Sequence, residues 1–176
     1  MKKNFWLGIL IFISVAFASY RMTLWYIPHN LMQYTYKRWS PSNKWFHAGR
    51  ETGARSWVPM GNPDFIISRC AYDLSSGPLL LKGMVPADTY WSLTMYQDNS
   101  TNFFIVNDTG RSGRPYQFVL TEKDRSMESL KNHSPDQIVY SPTRRGYLVV
   151  RIFINPDLDF QDLKACQEKA TVEIIN

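Results

Sequence analysis

Asp64, Arg69, Tyr72, Asn99, Asn102 and Arg151 are the side chains that could meet a ligand in this chain. Arg151 is the most suggestive. It interrupts the apolar run Tyr147-Leu148-Val149-Val150-Arg151-Ile152-Phe153. A guanidinium in such a strand must face solvent or find a carboxylate or carbonyl partner. Three readings stay open: a solvent-facing position, a buried pair with Asp64 or Asp73, or the wall of an anion pocket. Asp64 and Arg69 could pair on a shared part of a sheet. The amides of Asn99 and Asn102 could rim a pocket if their hairpin does. Asp98 and Asp108 flank the segment 102–106 at turn positions, where capping explains them without acid–base chemistry.

No residue set calls for a reaction. His29, His47 and His133 are not at metal-ligand spacing, so no metal site is expected. There is no G-x-S-x-G elbow, P-loop or dinucleotide glycine fingerprint, and neither a cofactor nor a catalytic residue is assigned. Asp157-Leu158-Asp159 resembles half a calcium loop, but the glycine and terminal Glu are missing, which leaves helix-start acids. The two cysteines, Cys70 and Cys166, could form a disulfide closing a long loop if the domain is exported, or remain two buried thiols.

Charge is divided unevenly. Residues 1–50 carry seven Lys/Arg and no acid, whereas residues 51–176 carry thirteen basic and fifteen acidic residues. A nucleic-acid protein usually places its cations on the folded domain. Here they sit beside an apolar segment, which points to a bilayer surface and away from nucleic acid. Lys2 and Lys3 precede a charge-free run from Phe5 to Tyr20. Two readings compete: a secretory signal cleaved after Ala16-Phe17-Ala18, or an uncleaved signal anchor extended to Ile27. In the anchor reading Arg21 snorkels to the headgroups, while Trp25 and Tyr26 lie in the interfacial aromatic belt. Both readings keep the N-terminus cytoplasmic and send the rest to the periplasm. The expected divisions are an anchor over 1–27, an aromatic-rich juxtamembrane arm over 28–61 and a β domain over 62–176. The arm carries Trp39, Trp45 and Trp57, which are expected to plug the domain.

From Pro63 onward short strands alternate with turn signals. Strands are expected at 65–72, 79–84, 90–96, 102–106, 116–120, 138–140, 147–154 and 171–175. Asn155-Pro156-Asp157 starts the one helix of the domain, with Phe160, Leu163 and Cys166 on a shared face. The fold expected is mainly β: an antiparallel sandwich or jelly roll, preceded by a transmembrane helix and closed by a short C-terminal helix.

Asn62-Pro63-Asp64-Phe65-Ile66-Ile67-Ser68, AYDLSSGPLLLKG, YWSLTMYQDNSTNFFIVND and the terminal YSPTRRGYLVVRIFINPDLDFQDLKACQEKA together resemble the bacterial domain of unknown function 1254. The resemblance covers about residues 60–170 and departs at Phe65-Ile66-Ile67, where that family often shows Thr-Leu-Tyr. It implies a β-rich domain and supplies no reaction or catalytic residue. It also implies a partner, because larger relatives join this domain to a domain of unknown function 1214. The functional expectation is a membrane-anchored, non-enzymatic accessory or binding module of an envelope complex. The alternative is a small-molecule binder or hydrolase-like enzyme with a polar pocket.

Overall fold

The computed structural model describes residues 2–38, 42–50, 62–123 and 134–175. Helix α1 (Lys2–Arg38) leads into strands β1 (Phe46–His47), β2 (Phe65–Asp73), β3 (Leu79–Met84), β4 (Trp91–Gln97), β5 (Asn102–Asn107), β6 (Pro115–Glu122), β7 (Ile138–Ser141) and β8 (Arg145–Phe153), then helix α2 (Phe160–Glu168) and strand β9 (Thr171–Ile174). Two sheets result. Sheet A has the order β1-β2-β8-β4-β5, and sheet B the order β7-β6-β3-β9. All pairings are antiparallel except β6 with β7, which is parallel.

The sheets face each other across one core. Sheet A contributes Ile66, Tyr72, Trp91 and Leu148, and sheet B contributes Leu81 and Phe118, all buried in the same cluster. Trp45 packs against that cluster from the arm, as expected of a plugging tryptophan. Trp39 and Trp57 lie outside the described residues. Helix α2 closes the sandwich with Leu163 and starts where Asp159 Oδ1 accepts the Gln161 amide at 2.7 Å. Those acids therefore serve as a helix cap.

Helix α1 differs from expectation at its C-terminal end. It passes through Pro28 and continues to Arg38. Proline removes one helical donor, leaving the Leu24 carbonyl without its partner four residues on. Beyond it the helix is held from outside, because Met32 and Tyr36 pack on sheet A. At about 1.5 Å per residue, 37 residues span about 55 Å, well beyond a hydrocarbon layer of about 30 Å. The window from Asn4 is apolar enough to cross a membrane, and none of its apolar stretch is buried against the domain.

Strand β8 is the hub, paired with β2 on one side and β4 on the other. Gly146 lies where Tyr72 Oη and the Tyr96 carbonyl approach so closely that a Cβ would strike both. One of these contacts is backbone and cannot swing away. Gly146→Ala should therefore destabilise the fold by about 1–3 kcal/mol, as overpacking does. Denaturant unfolding of the full chain checks this, with Gly49→Ala, which meets open space, as the neutral control.

Candidate functional site: a cationic groove between the helix and sheet A

Strand alternation sends half of sheet A's side chains away from sheet B. The register sets Ile67 opposite Arg151, Arg69 opposite Val149, Ala71 opposite Tyr147, and Asp73 opposite Arg145. Across β8, Ser92, Thr94 and Tyr96 face Arg151, Val149 and Tyr147. The C-terminal part of α1 covers only part of this outer face. Between them remains a cavity of about 630 Å³, lined by Leu31, Met32, Tyr34 and Thr35 of the helix and by Ile67, Arg69, Tyr96, Ser100, Tyr147, Val149 and Arg151 of the sheet side. A second space of about 470 Å³ shares Ile67 and Arg151 and continues to Asn62, Phe65 and Tyr90. Both volumes fall within the roughly 300–1,000 Å³ of ligand pockets.

The groove is apolar with a positive charge. Neither space is lined by an Asp or Glu among the described residues. Arg69 is only 6% exposed, so its cation is held in a poorly solvated place. Arg151 is exposed, and its side chain makes no hydrogen bond or ion pair with the described residues. Tyr147 is 8% exposed, and its hydroxyl is buried without a hydrogen-bond partner. Burial pushes the Tyr147 phenol up, with Arg69 acting in the opposite sense. The phenol therefore stays protonated and remains a donor at neutral pH. A buried hydroxyl left unpaired costs on the order of 1–3 kcal/mol. A site awaiting an acceptor would account for that cost.

Asp73 fastens the helix to the sheet. Its carboxylate accepts from Tyr36 Oη at 3.2 Å and from Arg145 Nε at 2.8 Å, and its other oxygen accepts the Ser75 amide at 2.9 Å. Arg145 also lies 5.3 Å over the Tyr36 ring. Burial raises the Asp73 pKa, but the Ser75 hydrogen bonds and Arg145 outweigh it and bring the carboxyl down to about 2. The Arg145 guanidinium is largely exposed, so its ion pair alone contributes only about 0–1 kcal/mol. The Tyr36 bond to a carboxylate, about 1.5–3 kcal/mol, and the burial of Met32 and Tyr36 do more of the fastening. At the other end Ser100 Oγ donates to the Pro28 carbonyl at 3.5 Å. The helix thus crosses the sheet from the β4–β5 tip to the end of β2.

Of the residues singled out by sequence, the structure brings Arg69 and Arg151 together in the groove. Tyr72 points the opposite way, into the core, where its hydroxyl meets Ser141 Oγ at 2.8 Å. Asp64 is exposed at the turn before β2, where its carbonyl accepts the Ile154 amide at 2.7 Å. Asn99 accepts the Thr101 amide at 3.0 Å, which is turn chemistry, and Ser100 is the hairpin residue that reaches the groove. Asn102 is exposed at the start of β5. Asp73 does pair with an arginine, but with Arg145 rather than Arg151. Arg21, Trp25 and Tyr26 are exposed on α1. The disulfide considered for Cys70 and Cys166 is not formed. Both are free thiols. Cys70 is buried in the sandwich core, whereas Cys166 donates to the Met84 carbonyl at 3.3 Å near the rim of α2.

One further pair has the residue types of a nucleophile and base: Ser68 Oγ lies 2.9 Å from His47 Nδ1. Ser68 is 1% exposed and lines neither of the two spaces described above. The pair is a buried hydroxyl satisfied by an edge imidazole. Sequence reasoning missed Tyr147, Tyr96 and the helix residues of the groove. The signal was present in Tyr147–Val150, a continuous apolar run of the kind that marks a strand covered on both faces.

A two-sheet sandwich with an N-terminal helix laid over its outer face defines the class as a β-sandwich domain. The chain belongs to the family described as "Protein of unknown function (DUF1254)", whose match covers residues 42–173. That match starts before β1, so the end of the arm belongs with the sandwich. Among solved structures, the VPA0106 protein from Vibrio parahaemolyticus is similar with a TM-score of 0.65 at 14% identity, over 84% of this chain and 34% of that one. An uncharacterised protein from Burkholderia cenocepacia aligns at a TM-score of 0.48 and 12% identity, over 81% of this chain and 45% of its own. The chain thus spans about a third of the Vibrio protein, and the likeness concerns fold alone. No curated protein matches the chain.

Two outcomes follow for the site. Asp73→Asn should loosen the helix dock and cost about 1–3 kcal/mol, seen as faster amide exchange over residues 30–38. With a folded-state pKa near 2 against 3.8 unfolded, the wild-type carboxylate's contribution is complete above about pH 4 and is lost as pH falls toward 2. The Asp73→Asn chain should lack that acid-dependent loss. For the cysteines, alkylation of the unfolded chain without reductant should add two labels. A single unlabelled, linked species would restore the disulfide.

Proposed function

We propose that the chain is a single-pass, non-enzymatic binding module that presents the sheet A groove at the periplasmic surface of a bacterial inner membrane, as an accessory to a second envelope protein. The observation that carries this reading is the docking of α1 on sheet A. The helix that is apolar enough to cross a bilayer continues into the helix that walls the groove. Leu31 lies four residues past Ile27, about 6 Å along the axis, so the groove begins at headgroup depth. Lys2 and Lys3, directly ahead of the apolar segment, support a cytoplasmic N-terminus.

The support for a protein partner is an open edge. Among the described residues strand β5 pairs only with β4, and Ile105 on it is 62% exposed. The strand carries no Lys or Pro, the usual guards of a free edge. A partner strand could extend sheet A there. The proposed partner carries a domain like the one larger relatives hold in the same chain.

Pull-down of the intact protein from mild detergent should recover a second envelope protein, and Ile105→Lys should reduce that recovery. Repeated recovery of this chain alone would remove the partner from the account. A reporter fused after Asn176 should be active only outside the cytoplasm, and cytoplasmic activity would reverse the topology.

A further inference from the structure

We infer that the groove takes a single-chain anionic amphiphile drawn from the bilayer, with its acyl chain along the apolar wall and its carboxylate or phosphate at Arg69, Arg151 and Tyr147. The inference rests on the membrane-module reading above and specifies what the module holds.

Three observations select this ligand class. The first is the lining. Leu31, Met32, Ile67 and Val149 give the groove an aliphatic wall, which a small hydrophilic anion such as free phosphate would leave unused. The second is the charge. Two guanidinium side chains border the space, neither part of it is lined by a carboxylate among the described residues, and a cation or a neutral lipid would leave the exposed Arg151 guanidinium unmatched. Arginine suits this role because its planar donors match carboxylate and phosphate oxygens in pairs. The buried, unpartnered Tyr147 hydroxyl adds a donor that an incoming acceptor can satisfy. The third is position. The helix wall of the groove starts just past the apolar segment, and Ser100 at the β4–β5 tip contacts Pro28. A lipid could slide from the leaflet into the groove without its chain crossing open water, which would cost about 0.8 kcal/mol per methylene.

The arrangement also predicts a division of roles. Arg151 is exposed and already hydrated, so it would recruit the headgroup. Tyr147 is buried, so its hydroxyl would fix the headgroup once seated. Tyr147→Phe removes an unpaired polar atom, and it should leave the ligand-free fold as stable as before or more so. A merely structural tyrosine hydroxyl would show the opposite.

The experiment uses the full chain in phosphatidylcholine nanodiscs with a fatty acid bearing a mid-chain photoreactive diazirine. Labelling should saturate and map to peptides containing 31–35 and 147–151. Unlabelled oleate or lysophosphatidate should compete roughly tenfold better than oleyl alcohol, the size of effect that one charge-assisted contact gives. Whichever of the two competes better assigns the headgroup as carboxylate or phosphate. Arg151→Gln and Tyr147→Phe should each weaken labelling several-fold with the thermal midpoint retained. Equal competition by the alcohol, labelling confined to residues 5–27, or full labelling of both variants would overturn the inference. Failure of the membrane reading looks different: the chain would be released from membranes by alkaline carbonate.

Discussion

Sheet A has to be covered on both faces, and the rest of the structure follows from that. Its inner face meets sheet B across a core built around Trp91 and Leu148. Its outer face carries Ala71, Tyr147 and Val149, which are buried in a cluster with Met32 and Tyr36 of α1 and with Ile67 and Tyr96 of the sheet. Stripping the helix away would return three apolar side chains on the central strands to water, at about 25 cal/mol per Å². Asp73 then sets where the helix stops sliding. Its carboxylate binds Tyr36 from the helix, Arg145 from the neighbouring strand and the Ser75 amide from the following turn. A displaced helix would leave a partly buried carboxylate short of a donor, which is a stronger constraint than any exposed ion pair.

The same constraint shapes the groove. One helix cannot cover a five-stranded sheet. It covers the end nearest β2's C-terminus and leaves the stretch toward Arg151 and Phe65 open. What remains is a trough with a helical wall on one side, strand side chains for a floor, and cations along it. The wall is a continuation of the apolar helix, so the position of the site and that of the proposed anchor are set by one continuous element. A flexible tether would have separated them. This coupling is why the proposed function is one of presentation and binding at a surface rather than chemistry in solution.

Much of the sandwich could be read from the residues. Turn signals such as Ser75-Ser76-Gly77-Pro78 and Asp98-Asn99 separate strands where expected; the first joins sheet A to sheet B, and the second closes the hairpin 91–107, with Asn99 accepting the Thr101 amide. What local pattern could not convey was coverage from afar. Pro28 reads as a break, yet tertiary packing carries the helix through it. Tyr72 and Arg69 are three residues apart on one strand and point to opposite faces, so listing them as one polar cluster conflicts with the period of two. Arg151 was legible as anomalous, but its place in the groove depends on a helix more than a hundred residues away. Cys70 and Cys166 invited a bridge by compartment and number, whereas the fold carries both as free thiols.

The central claim is that α1 holds the groove at the membrane surface, and depth is its most direct measure. With Cys70 and Cys166 replaced by serine, a fluorophore on Ser100→Cys and another on His47→Cys would be compared in nanodiscs whose lipids carry nitroxide quenchers at the headgroup. The account predicts strong quenching at position 100, which contacts Pro28, and weak quenching at position 47, on the far edge of sheet A. Equal, weak quenching at both positions would mean that the domain floats free of the bilayer and would contradict the account.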